Sequence, residues 1–257
     1  MREGIATAIL ALSVFGAGCG GTQKTGDVMV FAAASLREVA VDLAAAFERD
    51  HGRRVRFNFA GSNTLAQQIR AAPRVDVFLS ADEEWIRFVE DRGDAVPGSR
   101  RVFLANGLVA IRHRDSALRL SGPADLATAP FRHLALGDPS AVPAGRYARA
   151  YLERSSDELW AAVADRVVPA LDVRAALALV ASDPEILGIV YRTDVKASDR
   201  VRILFEFAPR DDLPVVHWAV AIRQDENPRA GLEFLEFLER PEAREIALRH
   251  GFSAASG

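Results

Sequence analysis

The chain has 257 residues, 49% of them hydrophobic, which is enough apolar material for one large core or two modest ones. A net charge of -3 supplies no basic field and argues against a nucleic-acid partner. Cys19 is the single cysteine, so no internal disulfide can form.

The opening MREGIATAILALSVFGAGC differs from everything after it. An early Arg2, an apolar run over 5–15 and small residues up to Cys19 make a secretory signal pattern, too short and wrongly flanked for a membrane-spanning helix. We read 1–19 as a signal peptide. A lone cysteine directly after small residues resembles the lipid-attachment cysteine of bacterial lipoproteins, which would make Cys19 a lipidation site. The polar residues 20–26 form a flexible tether, and the folded protein begins near Asp27.

From there, apolar runs rich in Val, Ile and Phe alternate with helical patterns. DVMVFAAA predicts a strand, and Leu36, Val39, Leu43 and Phe47 then recur at helix spacing until DHG stops the helix. RVRFNFA predicts a strand, and GSNTLAQQIRAAP a short helix ended by Pro73. VDVFLSA is a third strand, and DEEWIRFVEDRG a helix with Trp85, Phe88 and Val89 facing inward. RVFLANGLVAIRH is extended from Arg101 and interrupted at Asn106 and Gly107. HLALGDP leads into a turn and AGRYARAYLERS into a helix, and residues 172–182 form another helix. LGIVYRTD, VRILFEF and VVHWAVAI are strands, and two helices close the chain around Pro241. This alternation predicts open α/β sheets with mostly parallel strands, in which ligands bind beyond the carboxyl ends of the strands.

Four strand-to-helix joins stand out: Ser35 after AAA, Ser62 after FAG, Ala144 and Gly145 after DPSAVP, and Val173 after LD. A serine at such a join caps orphan N–H groups, contacts a ligand, or does both. Each helix start carries about half a positive charge and several free donors. If the four converged, they would form an anion cradle that needs no lysine or arginine.

The ordered set VFAAASL, FAGSNTLAQQI, VDVFLSAD, GDPSAVPAGRYA, DVRAALALV, LGIVYRTD and the closing HGF resembles the molybdate-binding periplasmic proteins of bacterial ABC importers. The resemblance runs from Val28 to Phe252. It implies a type II periplasmic-binding-protein fold of two α/β lobes, each a mostly parallel sheet flanked by helices, with the ligand in the cleft. One lobe would comprise 27–105 and 218–257, the other 106–217. The implied ligand contacts are Ser35 and Ser62 through hydroxyl and backbone N–H, Ala144 and Val173 through N–H, and Tyr191 through its phenol. Together they present seven neutral donors to four oxygens, and no contact position is acidic. Arg146 and Arg174 adjoin contact positions, with surface ion pairing as their expected role.

The resemblance therefore implies a monomeric, non-enzymatic binding protein. It would capture molybdate or tungstate and pass it to the membrane permease of an ABC importer. It would be extracytoplasmic, held to the membrane only by lipid on Cys19, and would need no cofactor. Molybdenum would be held as an oxyanion, not as a cation. The five histidines, His51, His113, His133, His217 and His250, show no metal-ligand spacing. Asp76 and Asp82 bracket a strand at positions suited to capping or turns. Two rival readings remain: the same machine for another tetrahedral oxyanion such as sulfate, and a secreted hydrolase with Ser35 or Ser62 as nucleophile. The hydrolase reading lacks a histidine within the motifs to act as base.

Overall fold

The computed structural model describes residues 26–223 and 228–254. The signal segment and Cys19 lie outside the described residues. Among the described residues, ten strands form two five-stranded sheets. The first contains β1 (Val28–Ala33), β2 (Val55–Ala60), β3 (Val77–Ser80), β4 (Arg101–Ala105) and β10 (Val216–Ala221) in the order β2-β1-β3-β10-β4. The second contains β5 (Leu108–His113), β6 (His133–Gly137), β7 (Val167–Ala170), β8 (Ile186–Tyr191) and β9 (Val201–Glu206) in the order β7-β6-β8-β5-β9. In each sheet a single strand, β10 or β5, runs antiparallel to its neighbours.

The inner strands β1, β3 and β8 are buried along nearly all their length because helices cover both faces of each sheet. In β1, Val28, Val30 and Ala32 face the large core while Phe31 faces a second core under α2 (Ser62–Gln68) and α3 (Glu83–Asp91). Strand period two sets this division, and β3 repeats it with Val77 and Leu79 on one side and Phe78 on the other. On α1 (Arg37–His51) the stripe of Val39, Leu43 and Phe47 is buried, with Leu36 just ahead of it. The helix ends where Gly52 adopts φ 64° and returns its N–H to Glu48 O at 2.9 Å, as the DHG stop signal requires. On α3 the fully buried residues are Ile86 and Val89, while Trp85 and Phe88 are only half-buried.

Two elements were not visible in the sequence pattern: α5 (Asp157–Ala164) and β7. β7 contains Pro169, which a strand tolerates at a sheet edge, and β7 is the edge of its sheet. The second sheet is served by α4 (Pro143–Ser155), α5 and α6 (Val173–Ser182), while α7 (Arg229–Leu238) and α8 (Pro241–His250) return to the first.

The chain passes from the first sheet to the second through Asn106 and Gly107, and back between β9 and β10. The expected second boundary at 217/218 falls inside β10 and is corrected. Val216 pairs with Ala105 and His217 with Leu104, so both belong to the first sheet. Hydrogen bonding to β4, not an apolar pattern, decides where that strand starts. No described helix is long and apolar enough to cross a membrane.

Candidate functional site

The carboxyl ends of β1, β2, β6, β7 and β8, with the helix starts beyond them, meet between the lobes around one small cavity. Ser35 and Ser62 line it from the first lobe, and Ala144, Val173 and Tyr191 from the second. All five are buried. All five candidate contact residues therefore face one space.

Local chemistry explains which donors are free. The N–H groups of a helix's first turn have no partner within the helix. Ser62 opens α2, with Gly61 as its N-cap. Pro143 opens α4 and has no N–H, so Ala144 supplies that helix's first donor. At α6 the N-cap Asp172 accepts from Arg174 N–H at 2.8 Å and Ala175 N–H at 2.9 Å. Its carboxylate thus satisfies the second and third donors and leaves the Val173 N–H, the first, unclaimed.

Neither serine caps its own helix. Ser35 lies in a short 3-10 turn, Ala34–Leu36, where no side chain caps. Its Oγ is 3.2 Å from His217 Nε2. Ser62 Oγ accepts from the Ala81 N–H at 3.0 Å, across to the end of β3. The hydroxyls are thereby tied to other strands, which fixes their place in the cavity wall. Asp82, by contrast, is a cap: its side chain accepts from Trp85 N–H at 3.2 Å at the start of α3.

Glycines allow the helix starts to come this close. A Cβ on Gly145 would lie 1.7 Å from Gly137 O, so α4 begins in direct contact with the end of β6. A Cβ on Gly61 would lie 2.9 Å from Leu171 O of the opposite lobe.

The Tyr191 hydroxyl is buried and has no hydrogen-bond partner among the described residues. Burial pushes its phenol well above the ordinary value, with Tyr147, Asp82 and Asp194 acting in the same direction, so it is a neutral O–H donor. An unsatisfied donor in a cavity wall is costly and points to a ligand that accepts. An acidic residue, Asp172, also lines the space beside the five contact positions, none of which is acidic. Its Oδ1 is occupied by the two N–H groups of its own helix.

The two neighbouring arginines do form ion pairs, but across the cleft and not simply on the surface. Arg146 Nη1 reaches Asp82 Oδ2 at 3.3 Å and its Nη2 meets Glu84, both on the first lobe. Arg174 Nη2 meets Glu38 of α1. Arg174 Nε lies 2.8 Å from Asp194 Oδ1, close enough for ionic attraction although its N–H is not aimed along that line. Asp194 is fully buried; burial raises its carboxyl to about 7 against the lowering effect of Arg174. Its Oδ2 accepts the Tyr191 N–H at 3.2 Å, linking the tyrosine strand to the arginine that reaches the other lobe. Trp85 Nε1 adds a further inter-lobe bond to Ala141 O at 2.9 Å.

Sequence reasoning missed His217 as a neighbour of Ser35. The available signal was one polar side chain in the apolar strand VVHWAVAI. The Ser–His contact resembles a nucleophile and base, but among the described residues Nδ1 of the ring has no partner to orient it. Burial also drives the imidazole down to about 3, too weak a base for that role near neutral pH. Among the described residues no group of His, Cys, Asp or Glu is placed to hold a metal cation.

A family model described as bacterial extracellular solute-binding protein matches residues 28–253. The molybdate-binding protein ModA of Escherichia coli is 35% identical over 241 residues, covering 89% of each chain. A putative ABC transporter substrate-binding lipoprotein of Bacillus subtilis, YvgL, is 29% identical over 255 residues, covering 96% of each. In fold, the chain matches the periplasmic molybdate-binding protein of Azotobacter vinelandii with a TM-score of 0.76 at 24% identity, covering 90% of this chain and 100% of that one.

Proposed function

The chain belongs to the family of bacterial extracellular solute-binding proteins, and we propose that its inter-lobe cavity captures molybdate, or tungstate, for delivery to the membrane permease of an ABC importer. It is a binding protein and not an enzyme. One observation carries the choice of site. Two serines of one lobe and two helix starts and a tyrosine of the other line a single buried space, with the Tyr191 hydroxyl unpartnered in its wall.

The donors there are uncharged and most are backbone N–H groups held by helices. A fully deprotonated oxyanion accepts from all of them. The ligand joins donors from both lobes, so binding favours the closed form. The crossings at Asn106–Gly107 and between β9 and β10 serve as the hinge.

Selectivity follows from rigidity. Molybdate and tungstate share charge and shape, whereas sulfate is smaller. A cradle fixed by helix starts would leave at least two bonds to sulfate poorly made, at about 1.5–3 kcal/mol each, or roughly a hundredfold or more in affinity. Calorimetric titration with molybdate, tungstate, sulfate and phosphate tests this. The first two should bind within about tenfold of each other and the last two far more weakly. Sulfate binding as tightly as molybdate would transfer the assignment to the rival oxyanion.

The family is extracellular. We place an acyl anchor on Cys19, supported by the lipoprotein named among the relatives. Detergent-phase partitioning and mass spectrometry of the mature N-terminus test it. The working unit is a monomer, because one chain supplies every contact position; sedimentation with and without molybdate should show a single-chain species.

A further inference from the structure

Anion capture as described gives His217 no task. Yet the residue is fully buried in β10, in contact with a cavity residue 182 positions away in sequence. Its Nε2 lies 3.2 Å from Ser35 Oγ, and its Nδ1 is buried with no partner among the described residues. The ring packs against Tyr191 at 5.2 Å between centroids and meets Phe252 edge-on at 5.6 Å.

A neutral imidazole has one N–H. Placed on Nδ1, that donor would be orphaned, and Ser35 would have to direct its own proton at Nε2. Placed on Nε2, it is satisfied by Ser35 Oγ and only a lone pair goes unmatched. Orphaned buried N–H groups are rarer in proteins than under-satisfied acceptors, so the second arrangement is favoured. The serine proton is then free to point away from the ring, into the cavity that Ser35 lines.

We propose that His217 is a positioning residue: as the Nε2–H tautomer it donates to Ser35 Oγ and holds the serine hydroxyl as a donor to the bound oxyanion. The inference rests on the oxyanion reading for the identity of the ligand, but the tautomer does not. The consequence is specificity for anions without protons. With one Ser35 lone pair taken by His217, the cavity offers donors where a hydrogen-bearing anion such as hydrogen phosphate needs an acceptor.

Two measurements test the proposal. Long-range ¹H–¹⁵N correlation spectra of the ligand-free protein should show His217 protonated on Nε2 and bare on Nδ1. Titration with sodium molybdate should find His217→Leu about three- to tenfold weaker than the parent, the scale of one neutral hydrogen bond. That loss should vanish in a Ser35→Ala background, and His217→Gln, which restores an N–H near the same place, should recover most of it. An Nδ1–H tautomer overturns the proposal, as do losses from His217→Leu and Ser35→Ala that simply add. If His217→Leu fails to fold, the parent's tautomer decides. A parent that binds no molybdate refutes the oxyanion reading while leaving the spectra to judge the His217–Ser35 bond.

Discussion

Replacing Tyr191 by phenylalanine should change binding and stability in opposite directions. The ring stays and keeps its packing against His217 at 5.2 Å; only the hydroxyl goes. In the structure that hydroxyl is buried and unpartnered among the described residues. Its removal relieves a desolvation penalty of up to about 1–3 kcal/mol. At about 2–4 °C per kcal/mol for a chain of this size, the ligand-free Tm should rise by a few degrees. In the complex the same hydroxyl donates to a dianion, a bond worth about 1.5–3 kcal/mol, so molybdate affinity should fall by about 10- to 150-fold. Because burial holds the phenol far above its ordinary pKa, the effect should not vary across pH 5–9 through ionisation of Tyr191 itself. Calorimetry with molybdate and thermal unfolding without it are the assays. Unchanged affinity would show that the phenol faces no ligand. A lower ligand-free Tm would show that the hydroxyl already has a partner.

Three further outcomes are expected. Ser62→Ala should lose about 1.5–3 kcal/mol of molybdate binding and, because the buried Ala81 N–H loses its acceptor, about 1–3 kcal/mol of stability as well; calorimetry and denaturant unfolding separate the two. Gly145→Ala would place a Cβ 1.7 Å from Gly137 O, a backbone atom that cannot step aside alone, and should cost about 3 kcal/mol or more in denaturant unfolding while displacing the Ala144 donor. Burial raises Asp82 to about 6 from an ordinary 3.8, outweighing the Trp85 N–H and Arg146 that favour the charged form. The native state therefore holds that proton more tightly than the unfolded chain does, so the contribution of Asp82 to stability is full below its ordinary value of 3.8 and is lost as pH rises towards 6. Asp82→Asn keeps an oxygen to accept from Trp85 N–H, and should flatten that part of a stability profile measured from pH 4 to 8; an unchanged slope would assign it to other groups.

Much of this protein was legible in the chain itself. The alternation of apolar runs and 3.6-residue stripes fixes where β1, α1, β2, α2, β3 and α3 lie, because a strand buried on both faces and a helix buried on one leave different local patterns. The joins carrying Ser35, Ser62, Ala144 and Val173 are equally local, since a helix start has its own residue chemistry. Short elements whose identity depends on their neighbours did not show. β7 is four residues with an internal proline and exists because β6 hydrogen-bonds it at an edge. The start of β10 is set by its pairing with β4, which no periodicity records.

At the candidate site, the positions could be read from the sequence but their meeting could not. Ser35 sits 182 residues from His217, and Arg174 136 residues from Glu38. Such pairs form only when the two sheets are brought together by the crossings at Asn106–Gly107 and before Val216. Hydrophobic pattern specifies which face of an element is buried, but not which polar group of a distant element will stand opposite a given hydroxyl. That choice follows from sheet order and helix packing, and it turns two serines that look like caps into side chains tied to His217 and to the Ala81 N–H.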